Sequence, residues 1–539
     1  MTTVTTPSNT RPSASTAQAG LPIGTGALAR LAMRRDRLAL TCYVVLIPVL
    51  AAALASAART AAATPADGAA LVTQAAANPT LLVLRGPLFG PTPGALTAQT
   101  FGTSGLLIVA VISLLLVVRH TRADEQAGRV ELLGSTVVHR AAPVTAALVI
   151  VVAVNLVMAV LTAFALLGVG LPAPGSVAFG LGLGTGGAVF ATLGAVLAQW
   201  CERAGSARAL GLLATGVLLL IAGAGDLSGT GLVWVSPFGW LRHLQAFAGE
   251  QWWVLAVFAI VVIALASLAV MLSARRDLGA GLFAPRPGPA TAGAGLRGPI
   301  GLAWRIQRGS VTGGVVAALV LGLILGAAVT TSRGLFDTPA YRELAEARGI
   351  ADPVTAFLSL MTYVLAQATA AGAVAAALRV RSQETGGLGE LLLSGPVDRR
   401  RWAGGHLVTA ATVATSTLLV LGIGTSLGAG AGQIALCLAY LPACLVFVGL
   451  AVALTGWAPR LAAPVTWAVL GAVVVADFLG EFGIVDPHTL RYLSPFVAIS
   501  VPLADGAGLT WSIVVLVVLA AVLTTAGLER LPHRDLDSG

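Results

Sequence analysis

Residue types that could do chemistry are sparse in this chain, and their densest group occurs twice. The first copy runs Arg122-Ala123-Asp124-Glu125-Gln126-Ala127-Gly128-Arg129-Val130-Glu131-Leu132-Leu133-Gly134-Ser135-Thr136-Val137-Val138-His139-Arg140. The second, 259 positions later, runs Arg381-Ser382-Gln383-Glu384-Thr385-Gly386-Gly387-Leu388-Gly389-Glu390-Leu391-Leu392-Leu393-Ser394-Gly395-Pro396-Val397-Asp398-Arg399. Nine of the 19 positions are identical without a gap: Arg, Glu, Gly, Glu, Leu, Leu, Ser, Val and Arg. Two glutamates six apart, at a fixed distance from a Leu-Leu pair, make each copy a candidate site.

The rest of the sequence narrows what such a site can do. All 32 basic residues are arginine. Without lysine there is no phosphate-binding G-x-x-x-x-G-K-[ST] loop, so ATP hydrolysis by this chain is not expected. Schiff-base and lysine-base chemistry are excluded as well. The six histidines are scattered, with no H-E-x-x-H pattern. The four cysteines, Cys42, Cys201, Cys437 and Cys444, lie in or beside apolar runs and form no C-x-x-C, which suits packing rather than redox or metal chemistry. What remains for the repeated stretch is recognition. Apolar side chains beside carboxylates suit docking onto another protein. A loop rich in arginine for reasons of membrane topology would explain the arginines, but not two glutamates per copy.

The elements that carry these loops are membrane spans. The chain is 57% hydrophobic and 10% charged, where a soluble domain carries about 25% charged residues. Apolar runs of the roughly 20 residues needed to cross a bilayer are expected near 38–58, 98–118, 142–170, 177–199, 209–225 and 252–274, and again near 311–331, 354–378, 406–427, 433–456, 465–483 and 508–528. Residues 1–24 read as a disordered tail. The segment 279–298 is rich in Gly, Pro and Ala and reads as a linker. With both termini inside, 25 arginines fall on the inner segments and 7 on the outer, while the acids divide 12 to 11. That asymmetry obeys the positive-inside rule and places both repeated loops in the cytosol, each between the second and third spans of a six-span half. It also accounts for the net charge of +9 without a nucleic-acid partner.

Further correspondences support a duplication. Leu31–Arg37 resembles Leu302–Arg308, Ser236-Pro237-Phe238 recurs as Ser494-Pro495-Phe496, Arg276-Asp277-Leu278 recurs as Arg534-Asp535-Leu536, and Trp200 with Arg203 echoes Trp457 with Arg460. Two six-span units then run the same way through the membrane, with a pathway expected between them. The expected fold is an all-α polytopic membrane protein: residues 25–278 and 299–539 form two tandem six-helix halves, with short cytosolic coupling helices. The basic segment Gly26–Arg37 is expected to lie on the membrane surface as an elbow helix, basic side out, that feeds the first span. Within the loops, Arg119–Glu125 should extend the second span, Gly128 and Gly387 should break the helix, and a short amphipathic stretch should begin at Glu131 or Glu390. It ends at Ser135-Thr136 in one copy and at Ser394-Gly395-Pro396 in the other, so the two docking sites are expected to be unequal. Arg140 and Arg399 anchor the return to the bilayer.

Polar groups within or near spans are candidates for a substrate pathway: Asn155, Gln367, Asp477 and Glu481. For Asn155 and Gln367 the competing reading is an interhelical hydrogen bond. For Asp477 and Glu481, four apart on one helix face, it is a span that ends early and leaves both wet. The glycines of Gly180–Gly187 follow no strand, and close helix packing explains them better than nucleotide binding. Trp234, Trp240, Trp252, Trp253 and Trp511 are expected to form an interfacial belt.

Through Glu125…Gly128-Arg129-Val130-Glu131-Leu132-Leu133…Arg140 and Glu384…Gly387…Glu390-Leu391-Leu392-Leu393-Ser394-Gly395-Pro396-Val397…Arg399 the chain resembles the ABC-2 type permeases. Within them it is similar to the fused twelve-span exporters associated with polyketide antibiotics in actinobacteria. The resemblance covers nearly the whole chain. It implies a plasma-membrane permease with both termini cytosolic that exports hydrophobic or amphipathic small molecules by alternating access. It also implies a separate ABC ATPase subunit, in two copies, which binds ATP and Mg, with no cofactor in this chain. The loop residues Arg122, Glu125, Gly128, Glu131, Leu132, Leu133, Arg140, Arg381, Glu384, Gly387, Glu390, Leu391, Leu392 and Arg399 would couple to it. The rival reading is a twelve-span ion-coupled transporter, which leaves the repeated glutamates without a role.

Overall fold

A computed structural model describes residues 22–76, 79–128, 138–276, 298–331, 352–481, 486–500 and 509–535, with a few isolated positions between 291 and 350. Twelve helices among them are long and apolar enough to cross a membrane: α1 (Thr25–Ala61), α2 (Pro93–Gln126), α3 (Ala142–Gly168), α4 (Ala173–Trp200), α5 (Ala204–Ser228), α6 (Trp253–Arg275), α7 (Pro299–Ala327), α8 (Pro353–Thr385), α9 (Arg399–Ala429), α10 (Gly432–Trp457), α11 (Pro459–Gly480) and α12 (Thr510–His533). Each overlaps one expected span. The described residues contain no strand, and the chain is an all-α polytopic membrane protein.

The expected surface helix is not separate. Gly26–Arg37 forms the first turns of the continuous helix α1. At 1.5 Å per residue the 37 residues of α1 span about 55 Å, against roughly 30 Å of hydrocarbon, so the helix is long enough to cross the hydrocarbon and extend beyond it. Nothing in Ala29-Arg30-Leu31-Ala32-Met33-Arg34-Arg35-Asp36-Arg37 breaks a helix: no glycine or proline occurs, and its residues are mostly good helix formers.

The helices that carry the loops start and stop for local reasons that recur. Thr92 caps α2 by accepting from the Ala95 amide, and Asp352 caps α8 by accepting from Val354 and Thr355. Proline follows in both cases, at the one turn where its missing N–H costs nothing. Both helices lose regularity at equivalent places, a π-helical turn at Arg119–Ala123 and a break at Leu378. Both end before a glycine with positive φ, +71° at Gly128 and +75° at Gly387, a conformation that suits a residue without Cβ.

Packing pairs recur as well. α1 lies along α3 and α7 along α9, α2 packs on α4 and α8 on α10, and α6 packs on α4 and α12 on α10. One apolar core gathers Ile47, Phe101, Phe179, Phe190 and Phe258 in the first set of six helices. A second gathers Tyr363, Leu418, Phe447 and Phe496 in the other. Val475, Phe478 and Leu479 of α11 pack against the first core. The glycines of α4 allow close approach: a Cβ on Gly180 would sit 2.4 Å from the Ala159 carbonyl oxygen of α3. Lipid tails are as apolar as leucine, so such close packing, not water exclusion, holds spans together. One seam differs between the halves. α1 lies along α2, whereas α7 stands off α8.

Candidate functional site

Each repeated loop is rooted in a buried charge clasp. In the first, Glu125 accepts through Oε2 from Arg122 Nη1 at 2.8 Å and from Arg276 Nη2 at 2.7 Å. In the second, Glu384 accepts from Arg381 Nη1 at 3.2 Å on Oε2 and from Arg534 Nη2 at 2.6 Å on Oε1. The Glu384 side chain is only 1% exposed. The first arginine of each clasp sits one helical turn before its glutamate, where i,i+3 neighbours meet. The second comes from just beyond α6 or α12, at the head of the repeated Arg-Asp-Leu piece. The end of α2 is thereby tied to the end of α6, and α8 to α12. Further bonds fix the roots: Arg122 Nε donates to the Glu202 carbonyl at 2.6 Å, and Arg399 donates to the Arg534 carbonyl. Charges buried this far are tolerated because each is paired and hydrogen-bonded.

Beyond the second clasp the chain turns at Gly387 into a short helix, Leu388–Leu393. This helix has two faces. Leu392 and Leu393 pack inward with Val380, Trp402 and Leu531. Leu388, Glu390 and Leu391 face outward, Leu391 being 72% exposed. An exposed leucine pair beside a carboxylate on a well-anchored helix is a protein-contact surface in miniature.

The loop residues singled out from sequence therefore divide. Arg122, Glu125, Arg381 and Glu384 lie in the clasps, with little surface left to offer a partner. Gly128 and Gly387 turn the chain. Glu390 and Leu391 are exposed, while Leu392 and Arg399 are half-buried, and Arg140 is exposed just before α3. Glu131, Leu132 and Leu133 lie outside the described residues, as do most of the tail 1–24 and linker 279–298. Sequence reasoning noticed Arg276 and Arg534 as repeats but not as partners of the glutamates. The usable signal was the spacing, since the Arg-Asp-Leu pieces recur at 258 positions and the loops at 259.

The polar groups within the spans are knots between helices. Tyr43 of α1 donates to Asn155 Oδ1 of α3 at 2.5 Å, and Asn155 Nδ2 donates to Ser113 of α2 at 3.0 Å. Gln367 of α8 donates to Asp477 Oδ2 of α11 at 2.8 Å, and the Ser494 hydroxyl donates to the same oxygen at 2.8 Å. Two candidates read separately from the sequence thus form one site. Asp477 is 1% exposed, so the reading of it as a wet helix end is overturned: Gln367 and Ser494 close over it. The side chain of Glu481 lies outside the described residues. Ser236 and Ser494 play matching parts in the repeated Ser-Pro-Phe, accepting from the amides of Phe238 and Phe496 at 3.2 Å each. At the end of the bundle away from the loops, Arg242 and Asp226 form a buried ion pair. Arg242 also donates to Thr103 at 3.1 Å and to the Val83 carbonyl at 3.1 Å. Burial lowers the Arg242 pKa, and Asp226 opposes that shift. Of the expected tryptophan belt, Trp240 is instead buried, donating to the Trp234 carbonyl at 2.6 Å and packing on Phe258.

Residues 296–530 match the family model described as "Multidrug efflux system permease Rv1217c, C-terminal domain". Over 527 residues, 95% of each chain, the sequence is 35% identical to the multidrug efflux system permease protein Rv1217c of Mycobacterium tuberculosis (strain ATCC 25618 / H37Rv). The chain belongs to this family of ABC-2 type multidrug permeases. The matched stretch leaves out only about one residue in twenty of either chain.

Proposed function

We propose that this permease is the membrane subunit of an ATP-driven exporter. Two copies of a separate ABC ATPase bind ATP and Mg and dock on the two repeated loops, which face the cytosol together with both termini of this plasma-membrane protein. The halves, 25–278 and 299–539 joined by the linker 279–298, alternate between inward and outward access. The cargo is a hydrophobic or amphipathic small molecule, in keeping with the similarity to a multidrug efflux system permease. The chain itself performs no covalent chemistry.

The observation that carries this reading is the helix Leu388–Leu393, which offers Leu388, Glu390 and Leu391 outward while a buried clasp holds its root. A force applied to that helix reaches α8 and α12 together through Glu384 and Arg534, and the first loop would act on α2 and α6 through Glu125 and Arg276. Ion pairs at 2.7 and 2.6 Å transmit displacement better than a flexible linker because their length hardly changes. Affinity purification of the tagged permease from its own cells tests this. An ABC ATPase subunit co-purifies, and it is lost when Glu131→Ala is combined with Glu390→Ala and Leu391→Ala. Export that follows a proton gradient and ignores ATP overturns the reading.

A further inference from the structure

The seam at which the two halves differ forms a half-open cavity of about 340 Å³ between α7, α8 and α9, within the roughly 300–1,000 Å³ of small-molecule sites. Val311, Leu321, Leu365 and Val413 supply apolar wall, and Gly314 and Gly372 make room by lacking side chains. Of its polar lining residues, Thr369 and Thr417 lie along the spans, while Gln307, Ser310 and Arg379 lie toward the end that carries the loops. Arg379 is half-buried and makes no ion pair or hydrogen bond among the described residues. Arg208 of α5, from the other half, is also half-buried and shares its electrostatic surroundings with Arg379 and Arg119.

The duplication shows what this seam lacks. In the first half Asp36 of α1 accepts from Arg119 at 2.6 Å and lies 3.3 Å from His120 Nε2, while Arg35 pairs with Asp124 at 3.0 Å. Those carboxylates and cations close α1 onto α2. By the repeat, Asp36 corresponds to Gln307, Asp124 to Gln383 and His120 to Arg379. Both acids have become amides. Gln307 and Gln383 bond at 2.9 and 3.0 Å to the two ring nitrogens of His406, so neither neutralises Arg379. The second seam therefore has an opening where the first has packing, and positive charge where the first has balance.

We propose that this cavity binds an amphipathic anion, an acidic phosphate or carboxylate head on an apolar body. Arg379 holds the head, Arg208 adds to the attracting field, and the space between α7, α8 and α9 takes the body. A guanidinium matches either head group through paired N–H donors. A half-buried arginine left without a counter-charge is costly unless water solvates it or an anionic ligand pairs with it. That such an anion is cargo rests on the efflux reading above; its binding does not.

The test uses the full-length permease alone, without any ATPase, in phosphatidylcholine nanodiscs. Titration with dodecyl phosphate, dodecyltrimethylammonium and dodecyl maltoside is expected to show at least about tenfold tighter binding of the phosphate. Arg379→Gln should remove that preference, Arg208→Gln should weaken it, and Gly372→Leu, which fills the cavity, should abolish binding of all three. Nanodiscs containing phosphatidylglycerol, read by native mass spectrometry, separate the two sources of the anion. Phosphatidylglycerol retained by the wild type and lost in Arg379→Gln assigns the site to a bilayer lipid. Dodecyl phosphate binding undiminished in those discs assigns it to a free amphiphile. Equal affinity for the ammonium probe, or unchanged binding in both Arg379→Gln and Gly372→Leu, overturns the proposal. Intact binding without drug export would count against the efflux reading alone.

Discussion

Replacing Glu384 with alanine separates a structural clasp from a docking contact. The carboxylate is 1% exposed and accepts from two arginines that are themselves 10–13% exposed. Removing one member of a buried ion pair typically costs about 3–5 kcal/mol, because the other charge stays buried without compensation. Here two cations are left facing one another, but each keeps a little contact with water, so the lower end, about 3 kcal/mol, is expected. For a cooperative unit the size of one half, that lowers the unfolding midpoint by roughly 6–12 °C. Thermal unfolding of the detergent-solubilised permease, followed by fluorescence-detected gel filtration, measures it. Glu390→Ala is the matched control: its carboxylate is exposed, and its effect should stay within about 0.5 kcal/mol while ATPase co-purification falls. A double-mutant cycle of Glu384→Ala with Arg534→Ala should show coupling of about 1–3 kcal/mol. The clasp reasoning is refuted if Glu384→Ala leaves the midpoint unchanged while abolishing ATPase binding, for then the glutamate works at the surface.

Other substitutions probe separate parts of the argument. Gly387→Ala forces a Cβ into the +75° conformation with no atom within 4 Å. The cost should be about 1–2 kcal/mol of backbone strain alone, partly recovered by Gly387→Asn, as seen in the same unfolding assay. Gly180→Ala drives a Cβ into the Ala159 carbonyl and should cost about 1–3 kcal/mol, whereas Gly216→Ala, which meets nothing within 4 Å, should be neutral or slightly stabilising. Asp226→Leu strands the Arg242 cation and should destabilise by about 3–5 kcal/mol; the double change Asp226→Leu with Arg242→Met should recover much of that loss. A double variant no better than the single would show that the hydrogen bonds of Arg242 to Thr103 and Val83, and not the ion pair, carry the stability.

Much of this protein was legible in its sequence because the determining physics is local. A span needs only enough consecutive apolar residues to cross the hydrocarbon, and all twelve could be counted. A helix that must end in a left-handed turn calls for glycine at that position, and the repetition of Gly128 as Gly387 marked both turns. The small residues of α4 declared close packing in the same way. The basic stretch before the first span was misread because amphipathicity says which face a helix presents, not whether it bends; with no breaker between Gly26 and Arg37, the helix ran straight on.

What only the tertiary structure decided are pairings across long stretches of chain. Glu125 meets Arg276 at a separation of 151 residues, Glu384 meets Arg534 at 150, and Gln367 meets Asp477 at 110. No local spacing such as i,i+3 links these residues, and the shared repeat interval only shows that the two arginine pairings are equivalent; they meet because α6 returns to α2, α12 to α8 and α11 to α8. The sequence showed that the glutamates of the repeated loops were specified twice. The packing then decided that the first glutamate of the pair turns inward to two arginines. In the second copy, where the chain beyond the turning glycine is described, the other glutamate stays outside. A carboxylate's role follows from whether a cation or water reaches it first, and in this bundle the ends of α6 and α12 made that choice.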